Sequence, residues 1–517
     1  MNEIIEAEKK INLLDDAEVL IVGGGPAGIG AAISSGRTGA KTILVEKFGS
    51  LGGLQTQGNN SIFSFIDPGI HGGIMLELLE KLKEGGALKN IDDLPVSEKS
   101  RMKMGIIAAV GKERLPKRLV ETDYGYWGPW GIPFDIEYYK YLTESMMEEA
   151  GIKILYHSLA TSVIREENVI KGVIIESPEG RLAISCKVII DCSGMGDIAW
   201  KSGASCFGDD GYPAGFKKGK PGGMLNAFYI GGVDMDKFKK LKAENPEEWG
   251  QLYVGRSLIK EAKEEGAYIL GEAIILSTAF DIYNTGRVYV MNPIHKTPDD
   301  KKSWMVEDLS AAEIDMRKQA WAVFKILKEN VPGFEKSYIE RTSNLPCVGI
   351  GHRIVGEYVL TVGDMREGKA FEDSVAISNM PPDIYESVGR FGYEILPHDI
   401  PYRCLISKDI DNLLAAGTTI SAGFFAGSGL RYCAPSICQG QAAGTAAALA
   451  VKNSVSPKNL DVKLLQDTLR DQNVRLSVKE VSPDVLAPYK AIQMMKIFYK
   501  REDIDEVAVS EEEIANY

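Results

Sequence analysis

An α/β fold built on a parallel sheet is what this sequence predicts, and three observations predict it. First, the apolar run Val19–Val22 passes through Gly23-Gly24-Gly25-Pro26-Ala27-Gly28 into a small-residue helix that reaches Ile33. Second, another apolar strand, Lys41-Thr-Ile-Leu-Val-Glu46, follows directly. Third, two apolar strands far downstream end at glycine, Val188-Ile-Ile-Asp-Cys-Ser-Gly194 and Asp411-Asn-Leu-Leu-Ala-Ala-Gly417. Strands that alternate with helices and return late in the chain build one parallel sheet from separate pieces of sequence.

Within the first unit, Gly23, Gly25 and Gly28 have the spacing of a dinucleotide fingerprint. One glycine makes the tight turn, one lets a pyrophosphate approach, and one lets helix pack on strand. Pro26 falls in the first helical turn, where a missing N–H costs nothing. The remaining N–H groups and the positive helix end then face the phosphates. Glu46 follows Gly28 by 18 residues, about the distance at which an acid holds a ribose hydroxyl. The whole unit predicts a bound dinucleotide.

Beyond it, Phe48-Gly-Ser-Leu-Gly-Gly-Leu-Gln-Thr-Gln-Gly58 is a glycine-rich loop with polar amides. Helical periodicity marks 74–86 and 135–150, and between them Tyr124–Pro133 is a rigid aromatic loop, lining a pocket or plugging a core. Strands are expected at Ile152–His157, Thr161–Glu166, Val169–Glu176, Arg181–Cys186 and Val188–Asp191, the middle ones as a small antiparallel meander. A long helix over 306–330 is expected to open at Ser310 with Glu313 as its capping partner. Ile354–Val362 reads as a strand, the segment around 440–449 as a helix and 456–477 as one more, with an acidic tail from 478. These elements divide the chain into a first nucleotide-binding part (1–66), a helical and loop insertion (67–132) and a second part with the meander (133–204). A substrate or cap domain (205–400), a third nucleotide-binding part (401–455) and a C-terminal helix and tail (456–517) complete it.

With 517 residues the chain exceeds one ordinary core, and 44% hydrophobic with 25% charged residues is a globular composition. A formal charge of −13 argues against nucleic acid and against an anionic membrane surface. No apolar run is long enough to span a bilayer, and the acidic N-terminus does not read as a signal peptide. Seven scattered cysteines without a C-x-x-C fit a reducing cytoplasm and leave no iron–sulfur or redox-dithiol pattern. Five dispersed histidines give no metal-site spacing, so no metal is expected.

Read together, 18–58, 188–204 and 411–449 resemble the FAD-dependent oxidoreductases of the glutathione reductase superfamily. The likeness is to the branch with fumarate reductase-like flavoproteins and the FAD module of the heterodisulfide reductases, over roughly 17–475. It rests on the fingerprint, Val188–Ala199, Ile400-Pro-Tyr-Arg403, and Asp411–Gly417 with Gly440-Gln-Ala-Ala-Gly444. The resemblance implies a doubly wound, FAD-binding Rossmann-like domain with an inserted α+β substrate domain, and noncovalent FAD. It places the adenosine ribose at Glu46 and the pyrophosphate at Gly23, Gly25 and Gly28, with Pro26, Ala27 and Lys47 in the same cofactor-binding set. Gly52, Gly53, Leu54, Gln55 and Thr56 would run along the flavin, with Ser193, Gly194, Asp197, Gly417, Ala434 and Gln441 completing the cofactor set. The helix start near Ala434–Ser436 would face the flavin's pyrimidine edge, where a helix N-terminus stabilises a reduced, anionic ring. His71 near the flavin loop reads as a free histidine. No second glycine fingerprint follows a strand, so no separate NAD(P)H domain is expected.

Hydride chemistry at a flavin needs an open ring face, a cation or donor for a carbonyl or carboxylate, and a proton carrier. Arg353, Arg403 and Arg431 lie in motif-bearing, otherwise apolar contexts, and a planar guanidinium suits a carboxylate. In the resemblance, arginines commonly precede the Arg353-Ile-Val-Gly-Glu-Tyr358 motif; here Gly349 and His352 stand there, making His352 the first proton-carrier candidate. Tyr402 and His398 flank Ile400-Pro-Tyr-Arg403 as further candidates. The expected activity is hydride transfer between flavin N5 and a small organic substrate, as C=C reduction or dehydrogenation beside a carbonyl or carboxylate. A flavin monooxygenase or oxidase using O2, and an electron-transfer subunit of a larger complex, are the alternatives. Expected partners are the small-molecule substrate and an external electron donor or acceptor, with a homo-oligomer left open.

Overall fold

The computed structural model describes residues 8–64, 66–89, 132–207, 224–249, 253–298, 304–348, 351–382 and 395–494. Most of the aromatic loop 124–133, Gly349 and the acidic end of the tail lie outside them. The main sheet runs in the order Lys153–Leu155, Thr42–Val45, Asn12–Val22, Gly180–Asp191, Val169–Ser177, Leu159–Glu166, with Leu413–Ala415 also paired to Gly180–Asp191. The first four strands are parallel neighbours, in the register Val19 opposite Thr42 on one side and Val188 on the other. Apolar residues fill both faces of Val19–Val22, as a parallel strand covered on both sides requires.

One strand differs in kind from its expectation. Arg181–Cys186 and Val188–Asp191 are a single strand, Gly180–Asp191. Its first half pairs antiparallel with Val169–Ser177, while its second half pairs parallel with Leu413–Ala415. Exposed Lys187, which suggests a break in the sequence, sits mid-strand with its ammonium 2.9 Å from Glu18. Meander and parallel sheet are therefore one continuous sheet.

Helix Pro26–Arg37 lies directly on helix Cys433–Lys452, which is buried from Ala434 to Ala450. A β-carbon on Gly440 would fall 2.0 Å from the Ala27 carbonyl oxygen, and one on Gly444 2.0 Å from that of Ala31. Two backbones touch there, which only small residues permit.

The inserted domain is built on an antiparallel sheet ordered Tyr253–Val254, Ile274–Ser277, Val288–His295, Met224–Gly231, Tyr338–Thr342. Alternation along Met224–Gly231 gives it two faces. Phe228 and Ile230 join Val323, Phe324 and Leu327 of helix Val306–Asn330. Ala227 and Tyr229 instead meet Ile62 and Ile136 of the nucleotide-binding part. That second face is the seam between the two domains.

Three expected boundaries move. Helix Val306–Asn330 is preceded by Met305 as N-cap without a side-chain cap, and Ser310 lies inside it, its hydroxyl donating to Val306 O at 2.7 Å. Only Arg353–Ile354 of the expected Ile354–Val362 strand is a strand; a Thr361–Asp364 capping box starts the helix Val362–Glu367. The expected helix 456–477 is a short turn, Pro457–Asn459, followed by Val462–Asp471. Beyond it the described part of the tail forms helix Pro483–Met494. Among the described residues no helix is long and apolar enough to cross a membrane.

Candidate FAD site

The site lies at the carboxyl ends of the parallel strands, where a doubly wound sheet binds its ligands. Gly23 leaves strand Asn12–Val22 with φ +102°, and its N–H donates to Val45 O at 2.8 Å. A β-carbon on Gly23 would strike Cys192 O at 2.3 Å, and one on Gly28 would strike Gly23 O at 1.9 Å. At Gly25 the same test meets nothing within 4 Å. The turn is thus packed tight behind and open above Gly25, as a pyrophosphate cradle demands. Gly52 N–H donates to Gly24 O at 2.8 Å, so the glycine-rich loop closes one side of the opening. Gly53 and Ala27 border it, the first beside Gly25 and the second beside Gly417.

Glu46 is buried at the end of strand Thr42–Val45. Its carboxylate accepts from Gly24 N–H at 2.6 Å and from Phe48 N–H at 2.8 Å. Burial pushes its carboxyl above the ordinary range, and those two hydrogen bonds oppose the shift. Lys47 points outward, its ammonium 5.4 Å from the Phe48 ring.

Along the loop, half-buried Leu54 leads to buried Gln55 and Thr56. Thr56 Oγ1 donates to Leu51 O at 2.6 Å, and Gln55 Oε1 accepts the Tyr139 hydroxyl at 2.8 Å. Asn59, which sequence reasoning missed, holds φ +58° and donates from Nδ2 to Ala227 O at 3.0 Å. Its signal was the Gly58-Asn-Asn60 run, since asparagine tolerates left-handed backbone.

Asp191, also missed, is the buried organiser of the next turn. It accepts from Ser193 N–H, Ser193 Oγ, Ile198 N–H and Ala199 N–H, all within 2.7–3.0 Å. Burial raises its carboxyl despite these bonds. Asp197 N–H donates to Ser193 Oγ at 2.9 Å, and Thr418 Oγ1 donates to Gly194 O at 2.7 Å. Gly417, at φ +79°, donates its N–H to Gln439 Oε1 at 2.8 Å. Ala434 lies in the first turn of helix Cys433–Lys452, which has no side-chain cap. Gln441 lies elsewhere. Its Oε1 accepts from Ile74 N–H at 2.8 Å and its Nε2 meets Gln472 at 3.0 Å, so it caps helix Gly73–Glu84 instead of facing the cradle.

The residues fit FAD. Among the described residues, buried Gln55 Nε2, Asn59 Oδ1 and Thr419 Oγ1 have no hydrogen-bond partner. Such atoms call for a polar ligand, because an unsatisfied buried group costs about 1–3 kcal/mol. All three sit beside the glycine cradle or on the loops leaving it.

The five candidate catalytic residues separate. His352 N–H donates to Met195 O at 3.1 Å, and its ring nitrogen Nδ1 lies 3.1 Å from the same oxygen. Its ring stacks on Trp200 at 4.6 Å, with Trp304 at 5.5 Å. Arg353 is 1% exposed, with Nε donating to Ala422 O at 2.9 Å. Burial brings its guanidinium down to about 10. His352 thus borders the Ser193–Asp197 turn, and Arg353 the segment after Leu413–Ala415. Arg431 follows helix Phe424–Leu430 and lies 5.0 Å over the Tyr432 ring. Arg403 is engaged with Asp373 at 2.9 and 3.1 Å and is half-exposed. Tyr402 is fully buried and donates to Pro457 O at 3.0 Å, which gives it a packing role and no proton to lend a substrate. His398 is likewise buried, with Nδ1 against Leu396 O at 2.9 Å. His71 is buried against the Asp67 backbone at 3.0 Å.

A model of the family described as FAD dependent oxidoreductase matches residues 18–469. No curated protein matches the chain by sequence. Among solved structures, the chain is similar to a geranylgeranyl bacteriochlorophyll reductase-like protein from Thermoplasma acidophilum, at 13% identity and TM-score 0.41, covering 97% of this chain and 95% of that one. It is also similar to p-nitrophenol 4-monooxygenase from Pseudomonas putida DLL-E4, at 11% identity and TM-score 0.42, covering 97% and 93%. L-Proline dehydrogenase from P. horikoshii matches at 13% identity and TM-score 0.38, covering 90% and 100%. Likeness at that level does not choose a reaction. The family match, spanning both halves of the cradle, does decide the class: the chain belongs to the FAD-dependent oxidoreductase family.

Proposed function

We propose that the protein transfers hydride between flavin N5 and a small organic substrate, reducing a C=C bond beside a carbonyl or carboxylate or running the reverse dehydrogenation. The observation that carries this reading is that His352 is bonded to Met195 in the Ser193–Asp197 turn while the next residue, Arg353, is bonded to Ala422 after strand Leu413–Ala415, so the pair bridges two segments that follow strand ends where ligands bind. Bound FAD supplies the hydride donor or acceptor.

Arg353 is held by its Nε bond to Ala422 O, which fixes the plane of the guanidinium that this reading assigns to polarising a carbonyl or carboxylate. At about 10 its guanidinium still carries charge at neutral pH. Arg431, whose backbone N–H donates to the carbonyl of the Gly427 that packs on Arg353, is the second candidate cation. His352 is fixed by its two tryptophan neighbours and by Met195 O. A carbonyl only accepts, so Nδ1 carries the hydrogen shared with Met195 O, and His352 is the residue of this pair whose ring can pass a proton to or from substrate.

The test is anaerobic. The purified flavoprotein is photoreduced, and flavin absorbance is followed on adding a panel of enoates or air. Fast reoxidation by an enoate with slow reaction in air supports the reading. Fast reoxidation by air alone supports an oxidase or monooxygenase, and response to neither supports a protein electron acceptor.

A further inference from the structure

We infer that Gln55 and Asn59 together read the imide edge of the flavin, Gln55 Nε2 donating to a ring carbonyl and Asn59 Oδ1 accepting from the ring N3–H. This rests on the assignment of FAD to the cradle. Each side-chain amide is half used. Gln55 Oε1 accepts from Tyr139 at 2.8 Å, and Asn59 Nδ2 donates to Ala227 O at 3.0 Å. The Ala227 carbonyl only accepts, which fixes the Asn59 amide, and with Gln55 Oε1 on the Tyr139 hydroxyl the ends left over are one donor and one acceptor. Both residues are buried, at 3% and 0% exposure, where an unmet polar end is costly.

An isoalloxazine presents carbonyl, N–H and carbonyl in a row along its pyrimidine ring. A donor and an acceptor on one loop match two neighbouring members of that row. The loop itself runs between the right points. It starts at Gly52–Gly53 against the cradle and ends docked on the inserted sheet, where Ser61 Oγ meets Tyr229 OH at 2.5 Å. Asn59 holds left-handed backbone at φ +58°, a conformation asparagine accepts more readily than most residues. Burial this complete suits a resident group better than a substrate that must enter and leave.

The experiment compares binding of FAD and N3-methyl-FAD to flavin-stripped protein, read by flavin fluorescence. Methylation replaces the N3–H by a methyl group and leaves both flanking carbonyls in place, and the comparison with Asn59→Gly separates the lost donor from the added bulk. Wild-type protein is expected to bind N3-methyl-FAD about tenfold or more weakly than FAD, the size of one buried hydrogen bond left unmade. Asn59→Gly, which keeps the backbone conformation, should bind the two within about twofold. Asn59→Gly must still bind N3-methyl-FAD as tightly as wild type does, which guards against a misfolded variant. Gln55→Glu replaces the donor by an acceptor and should weaken FAD itself about tenfold. Equal binding of both flavins by wild type overturns the proposal. Full discrimination in Asn59→Gly overturns it too, and a raised KM with unchanged flavin affinity would then assign Oδ1 to a substrate donor. Failure of wild type to bind FAD at all would instead remove the cofactor assignment beneath it.

Discussion

Glu46 Oε2 lies 2.6 Å from the backbone nitrogen of Gly24, so the acid ending the second strand grips the turn that follows the first. Its other oxygen holds Phe48 N–H at the start of the glycine-rich loop. One carboxylate therefore ties together the two backbone segments that border the pyrophosphate opening, whatever it also offers a ribose.

Glu46→Gln removes one of those acceptors and sets an amide N–H against a backbone N–H. We expect a loss of about 1–3 kcal/mol in stability and about tenfold in FAD affinity, measured by chemical denaturation and flavin titration. The pH dependence has a defined sign. Burial raises the Glu46 carboxyl, so the folded state holds its proton to higher pH than the unfolded state does. Its contribution to stability therefore falls as pH rises through the window just above the ordinary carboxylate range. Glu46→Gln should flatten that part of the profile.

Gly23 and Gly25 should respond oppositely to alanine. Gly23→Ala forces a methyl into Cys192 O at 2.3 Å on a φ of +102°, and the protein should fail to accumulate or melt far lower. Gly25 has an ordinary φ of −71° and open space, so Gly25→Ala should melt near wild type as apoprotein. Its cost should appear in FAD binding, because the methyl occupies the approach to the pyrophosphate. An unchanged FAD affinity would move the pyrophosphate away from this turn.

Acid should weaken the fold through two histidines. Burial holds His71 and His398 down to about 4 from an ordinary 6.5, so the folded state keeps them neutral. Stability is lost as pH falls from the unfolded value towards the folded one, by about 3 kcal/mol for each. His398→Asn keeps a donor for Leu396 O but cannot titrate. It should remove roughly half of the acid loss attributed to this pair, measured by urea denaturation across that range.

Gly440→Ala should separate two helices. Its methyl would meet Ala27 O at 2.0 Å, where neither backbone can yield without moving the fingerprint helix. We expect a loss of about 1–3 kcal/mol or more and weaker FAD binding, seen in thermal melts with and without FAD.

His352→Ala should slow turnover while FAD stays bound, because its ring packs on Trp200 and Trp304. Unchanged turnover would remove it from the proposed proton path.

Most of the nucleotide-binding architecture is legible in the sequence because it is local: a strand, a glycine turn and a helix over Val19–Ile33, with Glu46 at the next strand end. Register over long separations is not. Nothing near Lys187 shows that the strand continues through it, because the partner that pairs on both sides of it, Asn12–Val22, is supplied by a distant segment. Thr361 turns the chain into a helix through a side-chain cap that competes with strand pairing. Arg403 looks like a substrate ligand until Asp373, thirty residues earlier, claims it. Asn59 and Asp191 escape because their meaning lies in hydrogen bonds to backbone, which residue type alone does not announce.

The contact between helices Pro26–Arg37 and Cys433–Lys452 has a consequence for biosynthesis. The earlier helix leaves the ribosome with its glycine-lined face bare, and its partner follows about four hundred residues later. At ordinary elongation rates of about 5–20 residues per second, that face waits roughly 20–80 s for its cover. The parallel sheet likewise lacks Leu413–Ala415 for most of that interval. Nascent chains arrested before residue 413 should therefore be the species that chaperones retain and proteases cut, and released full-length chains the first to hold flavin.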